Sequence, residues 1–137
     1  MIEIYLRERL LDDNTLKALV VERIFPVTVR KDATFPSLVY RRVSGSNGYD
    51  LDGPDGLRTV TVEVRCWATD YTAARTLADH VRRIMDGYRE KSSEGPFRRC
   101  TVTDGADEFE EIDDTLGVYA AVTLVAMTYD EDWTEPN

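Results

Sequence analysis

With 137 residues, 42% of them apolar, the chain is long enough to bury a core without a metal ion or a disulfide. Its 26 acidic and 17 basic side chains give a formal net charge of −9, which argues against general affinity for nucleic acid or for an anionic membrane surface. The charged N-terminus and the lack of a long apolar run predict a protein with neither a signal peptide nor a membrane-spanning segment.

The first part of the chain predicts helix followed by strand. Apolar residues at helical spacing over 3–21 indicate an amphipathic helix, which residues 12–14 interrupt. Either one kinked helix or two helices fit this pattern, and Asn14 is the candidate cap of a second helix. The period then changes over 21–30, where Pro26 favours an edge strand, and a second strand is predicted over 38–43.

Residues 45–57 are the longest stretch without hydrophobic periodicity. They contain four glycines, one proline and three aspartates, a composition typical of a loop. A loop of this length in a compact domain is either functional or mobile. We therefore predict a flexible loop at this position.

The clearest unit is a strand that runs almost directly into a helix. Apolar and polar residues alternate from Thr59 to Trp67, which predicts a strand with one apolar face. Asp70 is placed to cap the next helix, and Gly87 is placed to end it. The helix carries one apolar stripe, formed by Ala74, Leu77, Ala78, Val81, Ile84, Met85 and Tyr88.

The last part of the chain predicts two more strands. A short strand covers 97–103, and the most apolar stretch, 116–129, is apolar on both faces. That strand is either central in the sheet or covered by a partner. The order of the elements predicts a single α+β domain over 1–137, with a mostly antiparallel sheet of about five strands, an N-terminal helix and a central helix. Residues 130–137 form a polar tail.

The sequence nominates no catalytic, cofactor-binding or metal-binding residues. The single histidine, His80, lies on the polar side of the central helix, with no nucleophile assigned to it. Cys66 and Cys100 lack metal-like spacing, so we expect two reduced, buried thiols in a cytosolic protein, although sequence distance leaves a disulfide open. Residues 50–56 resemble a calcium loop only superficially, because their spacing fails that motif.

The acidic segment 104–114 packs seven carboxylates into eleven residues. One interpretation is a solvated hairpin end that keeps sheet edges from pairing wrongly. The other is a surface past which a polyanion slides without binding. In this second interpretation the surface lines a channel for the polyanion, and the residues that face the channel are Asp107, Glu108, Glu110 and Glu111.

The order and spacing of several strings resemble the small tail-completion proteins of long-tailed bacteriophages, a family that includes tail terminators and head–tail joining proteins. The resemblance covers nearly the full chain and rests on LRERLLDDNTLKALV, ERIFP at 22–26, FPSLVYRRVSG at 35–45, VTVEVRCWATDYTAARTLADHVRRIMDG and GVYAAVTLVAMTY at 117–129. It implies a non-enzymatic virion protein, made in the host cytoplasm, that forms a ring, typically hexameric, at the head-proximal end of the tail tube. Its implied partners are its own copies, the tail tube protein and the head–tail connector protein, while DNA passes through unbound; no cofactor and no membrane are implied.

Two further sets of residues follow from that resemblance. One apolar face of the last strand is expected to contact a neighbouring subunit, through Tyr119, Val125, Met127 and Tyr129. The loop is expected to order on docking, through Tyr49, Asp50, Leu51, Asp52 and Leu57.

Three alternatives to a tail terminator remain open from the sequence. A head–tail joining protein of the same neck region is the nearest. An acidic DNA mimic would instead bind a basic partner tightly and with strong salt sensitivity. A small α+β enzyme would need a pocket with convergent polar groups, and the sequence supplies no candidate set.

Overall fold

The computed structural model describes residues 2–27, 34–50, 53–111 and 117–134, with the backbone alone for 48–50 and 53–55. Three helices and six strands lie within these residues: α1 (Ile2–Leu11), α2 (Asn14–Val20), β1 (Ile24–Pro26), β2 (Ser37–Asp50), β3 (Gly53–Ala68), α3 (Tyr71–Met85), β4 (Phe97–Asp104), β5 (Glu108–Glu111) and β6 (Gly117–Asp130).

The described strands form one sheet in the order β1-β2-β3-β6-β4, and β5 also pairs with β6. β1 runs parallel to β2, and every other described pair is antiparallel. Because β3 pairs with β6 along residues 119–130, β4 and β5 share the opposite side of β6 and together form one edge of the sheet. The predicted α+β fold with a mostly antiparallel sheet is confirmed, with six strands rather than about five.

Helix α3 begins after the predicted cap and buries most of the predicted apolar stripe, but it ends at Met85, so Tyr88 follows the helix and Ile84 is only partly buried. The Asp70 carboxylate accepts a hydrogen bond from the Thr72 N–H at 3.1 Å. Gly87 follows the helix with φ of +77°, a conformation that glycine adopts without strain. The buried residues of the helix are Ala74, Leu77, Ala78, Val81 and Met85.

The N-terminal segment forms two helices, which settles the alternative that the sequence left open. Asp13, rather than Asn14, caps α2, since its carboxylate accepts a hydrogen bond from the Leu16 N–H at 2.9 Å. The helix ends at Val20, and its C-cap residue, Val21, donates its N–H to the Lys17 carbonyl and has φ of 49°. A branched side chain is strained in this left-handed region, so valine is an unusual residue for the position.

The helices cover one face of the sheet, which we call the helix face. The core between them contains sheet residues that include Leu38, Val60, Val62, Val64, Cys66, Ala121, Val125 and Met127. On the opposite face, which we call the outer face, a smaller cluster is formed by Val39, Trp67, Val118 and Ala120.

Strand β6 lies between β3 on one side and the β4–β5 edge on the other. One face of it belongs to the core beneath the helices, and Val118 and Ala120 on the other face belong to the smaller cluster. The predicted subunit-contact residues belong to its helix face. Val125 and Met127 are fully buried within the single chain, and Tyr129 is 8% exposed. These three side chains belong to the core of the single chain, so their prediction as subunit-contact residues was wrong. Tyr119 is half-buried beside them.

The prediction of a loop over 45–57 was wrong for the described part of that segment. Residues 45–50 continue β2, and residues 53–57 belong to β3. The two strands pair as far as Asp50 opposite Gly53, with a register shift between Asn47 and Tyr49. The segment is therefore a long β-hairpin.

Candidate assembly surfaces

Strands β2 and β3 extend beyond the rest of the sheet. Among the described residues, the pairing of β3 with β6 stops at Leu57 opposite Asp130, whereas its pairing with β2 continues to Gly53. Residues 48–50 and 53–55, which we call the hairpin arm, therefore extend three residues, or ~10 Å, beyond Gly56, whose carbonyl accepts a hydrogen bond from the Glu131 N–H just after β6. The arm is a projecting element of a size suited to contact with another protein.

Three of the five predicted docking residues lie on or near the arm. Tyr49 and Asp50 belong to it, with only their backbone described, and Leu51 and Asp52 lie outside the described residues. Leu57 lies at the base of the arm and is 36% exposed. The docking role therefore rests on the position of the arm.

The acidic segment forms β5 and the turn before it, and two of its carboxylates have partners in the same chain. Asp107 accepts a hydrogen bond from the Tyr71 hydroxyl at 2.6 Å and forms an ion pair with Arg75 at 3.2 Å. The hydrogen bond to Asp107 raises the pKa of Tyr71. Glu108 forms an ion pair with Arg65. These contacts place half of the predicted channel residues in ion pairs.

The other two predicted channel residues, Glu110 and Glu111, are exposed and form no ion pair among the described residues. Side chains alternate along β5, so Glu110 shares the outer face with its partner Val118, and Glu111 shares the helix face with Phe109. Residues 112–114 of the acidic segment lie outside the described residues. The two unpaired carboxylates thus point to different sides of the sheet.

An aromatic cluster lies beside these carboxylates at the β5 edge. Phe109 is 55% exposed and Tyr71 is 45% exposed. Their rings contact Tyr119, at centroid distances of 5.0 Å and 5.9 Å. Exposed aromatic residues flanked by charges are typical of binding surfaces. We call this surface the acidic patch and define it by Tyr71, Asp104, Asp107, Phe109 and Glu111.

A second exposed surface lies at the opposite edge of the sheet, where α2 leads into β1. Arg7 donates from Nε to the Ile24 carbonyl at 3.2 Å, and Arg23 donates from Nε to the Pro36 carbonyl at 2.9 Å. Both arginines also donate from Nη2 to a backbone carbonyl, Arg7 to Glu22 and Arg23 to Leu19. Neither arginine, nor Lys17, forms an ion pair within the described part of the chain, so no described carboxylate neutralises their charges. We call this surface the basic patch and define it by Arg7, Lys17, Leu19, Val21 and Arg23.

An ion pair between a buried glutamate and a partly exposed arginine joins α1 to the sheet. Glu3 Oε1 lies 2.5 Å from Arg42 Nε, and the Glu3 side chain is only 7% exposed. Burial raises the pKa of Glu3, but the hydrogen bond and the charge of Arg42 outweigh burial, and the pKa lies below its ordinary value. This pair fixes the orientation of the first helix.

A cleft of about 460 Å³ lies between α1 and the connection from α3 to β4. The Arg9 guanidinium stacks 3.9 Å above the Tyr88 ring centroid, and the Trp133 indole N–H donates to the Ser92 carbonyl at 2.8 Å. Burial and the hydrogen bond to Glu90 raise the pKa of Tyr88 to about 12. Its described lining includes four carboxylates, of Glu8, Asp12, Glu90 and Glu94, but no serine, threonine, cysteine or histidine.

Both cysteines are free and buried, as the sequence predicts. Burial raises the pKa of both thiols, that of Cys100 to about 12, so both are protonated at neutral pH. The described residues contain no group of three or more His, Cys, Asp or Glu side chains arranged to hold a metal ion. In the same part of the chain, no helix has the length and apolarity needed to cross a bilayer.

Sequence reasoning missed both patches. Phe109 offered a local signal, because it is a single aromatic residue among carboxylates in a short exposed strand. The basic patch offered none, since its residues come from two helices and the turn before β1, and only the fold brings Arg7 close to Arg23.

The fold and its surfaces define an α+β domain with several exposed elements. A family model described as tail completion protein gp17 matches residues 4–125, and the chain belongs to this family. Family membership confirms the resemblance found in the sequence. The protein is a structural component of the bacteriophage tail, and thus of the virion.

A chain in the solved structure titled "Virion of native gene transfer agent (GTA) particle" is similar, with a TM-score of 0.56 and 13% sequence identity. The similarity covers 90% of this chain and 91% of that chain. At this identity the likeness shows a shared fold. No curated protein matched the chain.

Proposed function

We propose that the protein assembles as a hexameric ring at the head-proximal end of the tail tube, ends tube growth there and provides the surface for head attachment. The match of the tail-completion family over residues 4–125 carries this proposal. The role is structural and non-catalytic. Its partners are further copies of the chain, the tail tube protein and the head–tail connector protein.

The size of the chain is compatible with a ring around DNA. A domain of 137 residues has a radius of gyration of ~14 Å, hence a diameter of ~37 Å as a uniform sphere. A closed hexamer of touching spheres leaves a hole of about the same diameter, which admits a duplex about 20 Å wide even after the subunits interdigitate.

The hairpin arm is the proposed docking element toward the tube or the connector. It extends beyond β6 and includes Tyr49 and Asp50. Leu51 and Asp52, which lie outside the described residues, are proposed to take part in the same contact. A projecting ribbon reaches a partner without disturbing the core beneath the helices. Leu57, at the base, is the fifth residue proposed for this contact.

The outer face of β5 is the proposed channel surface. It carries Glu108, which is paired with Arg65, and Glu110, which has no ion pair among the described residues. A carboxylate facing the channel repels the DNA backbone and so favours passage without binding.

Glu110→Lys is therefore expected to slow DNA ejection. The matched control is Glu94→Lys, at an exposed site beside the cleft. Equal rates of ejection by both variants would contradict the channel assignment.

Polymerisation of the tail tube protein tests the proposed function directly. Adding the purified protein to polymerising tube protein of the same phage should shorten the tubes as the ratio of the two proteins rises, because each ring closes one growing end. Electron microscopy gives the length distribution. A double variant, Tyr49→Ala with Leu51→Ala, should fold but lose this effect if the arm docks. An unchanged distribution at saturating wild-type protein would rule out termination.

A further inference from the structure

We infer that neighbouring subunits of the ring contact each other through the acidic patch of one copy and the basic patch of the next. The inference rests on the proposed ring, and the partner of each patch is a second copy of this chain. A ring requires two different and complementary surfaces on every copy, because its contacts are head-to-tail.

The two patches lie at opposite edges of the sheet and at the same level along the strands. The strand pairing connects one row of residues across the sheet, formed by Ile24, Leu38, Cys66 and Ala121. Glu108 of β5 pairs with Ala120, one residue from that row. Four strand spacings, or ~19 Å, separate β1 from β5. Copies joined side by side along this row therefore bring the β5 edge of one to the β1 edge of the next.

The charges of the two patches are complementary. The basic patch carries three cations, Arg7, Lys17 and Arg23, and none of them is in an ion pair among the described residues; the contact of Arg7 with Glu22 is to its backbone carbonyl, at 3.4 Å. The acidic patch carries three carboxylates, of which Asp107 alone has an ion-pair partner among the described residues, namely Arg75. The acidic patch thus keeps a net negative charge and the basic patch a net positive charge, and opposite charges steer and orient the association of subunits.

Both patches also expose apolar side chains. Val21 is 61% exposed, and Leu19 is also exposed beside it. Phe109 and Tyr71 supply the apolar side chains on the other patch. The backbone at Val21 and Glu22 is held in the left-handed region, with φ of 49° and 65°. Backbone strain of this kind is concentrated at functional sites, and the strained backbone here holds the branched apolar side chain of Val21 in solvent.

Cysteine cross-linking in assembled phage particles tests this contact. The chain's own cysteines are buried and free, so they do not compete. Particles carrying Val21→Cys together with Phe109→Cys should give, on mild oxidation, a ladder of covalent oligomers that ends at the hexamer. Either single variant should stay monomeric, since a head-to-tail contact places Val21 against Phe109 and not against another Val21. The matched control pairs Phe109→Cys with Val43→Cys, at an exposed site on the outer face, and should give no ladder.

The absence of a ladder from the double variant, in particles that contain the protein in normal amount, would overturn the inference. So would a dimer formed by either single variant, which requires a two-fold contact instead.

Charge reversal gives an independent test that does not depend on cross-linking geometry. Lys17→Glu and Glu111→Lys should each lower the yield of infectious particles by roughly tenfold, because each places like charges together at the contact. The double variant should recover most of the loss. Lys91→Glu, an exposed lysine in the α3–β4 connection, is the control and should match wild type. Single losses without recovery in the double variant would contradict the contact.

Failure of this subunit contact and failure of the proposed function would show in different measurements. The ladder and the charge rescue report which surfaces meet in the particle, whether the ring ends the tube or joins the head. Tube length reports termination, whichever surfaces hold the ring together.

Discussion

Replacing Met127 by alanine tests the placement of the helix face of β6 in the core. The Met127 side chain is fully buried between the sheet and the helices. Truncation of a buried methionine costs about 2–5 kcal/mol, because it removes apolar contacts and leaves a cavity. For 137 residues the unfolding entropy is ~0.29 kcal/mol/K, so this loss corresponds to a fall of ~7–17 °C in Tm. Calorimetry of the purified protein measures it.

The matched control is Leu124→Ala on the outer face of the same strand, where the side chain is partly exposed. Its Tm should fall by less than half as much, since less apolar area is lost from the interior. Val125→Asp should abolish folding, because the buried carboxylate has no partner there. A folded, monomeric Val125→Asp protein, or an unchanged Tm for Met127→Ala, would refute the assignment and restore this face as a subunit contact.

Three further predictions concern the local contacts. Val21→Gly should keep or raise Tm, since glycine relieves the left-handed strain, yet it should weaken ring assembly as measured by the yield of infectious particles. Asp13→Ala should lower the unfolding free energy by about 1 kcal/mol through loss of the α2 cap, whereas Asn14→Ala should have little effect on urea unfolding. Glu3→Gln should be less stable than wild type at neutral pH. Because Arg42 lowers the pKa of Glu3 in the folded protein, the stabilisation is present above the ordinary pKa of 4.5 and is lost as the pH falls through the lower folded value, so the two proteins should converge in acid.

The strand–helix unit from β3 to α3 was predictable because its signals are local. Alternation in the strand, the Asp70 cap, the apolar stripe and Gly87 each depend on residues a few positions apart. Tertiary packing agrees with each of these choices, so sequence reasoning and structure coincide there.

The hairpin was not predictable from periodicity, for a physical reason. Beyond Leu57, β2 and β3 pair with each other but not with β6, so this ribbon has no third strand or described helix to impose a buried face. Without a buried face there is no alternation of apolar and polar residues. Glycine, proline and aspartate are depleted in ordinary strands, which favoured the loop prediction.

The faces of β6 were identified as apolar, but their roles could not be assigned. Alternation shows that two faces exist, and it does not show which one meets the helices. Only the assembled fold places Val125 under the helices and Val118 on the outer face. The same limit applies to the two patches, whose residues meet through pairing across the whole sheet.

Electron microscopy of lysates from the parent phage with this gene deleted tests tail termination most directly. Overlong tails without heads are expected, because tube growth continues when no ring closes the end. Tails of normal length beside filled heads would contradict termination and indicate a head–tail joining role. Intact virions in normal number would show that the protein is dispensable for completing the tail.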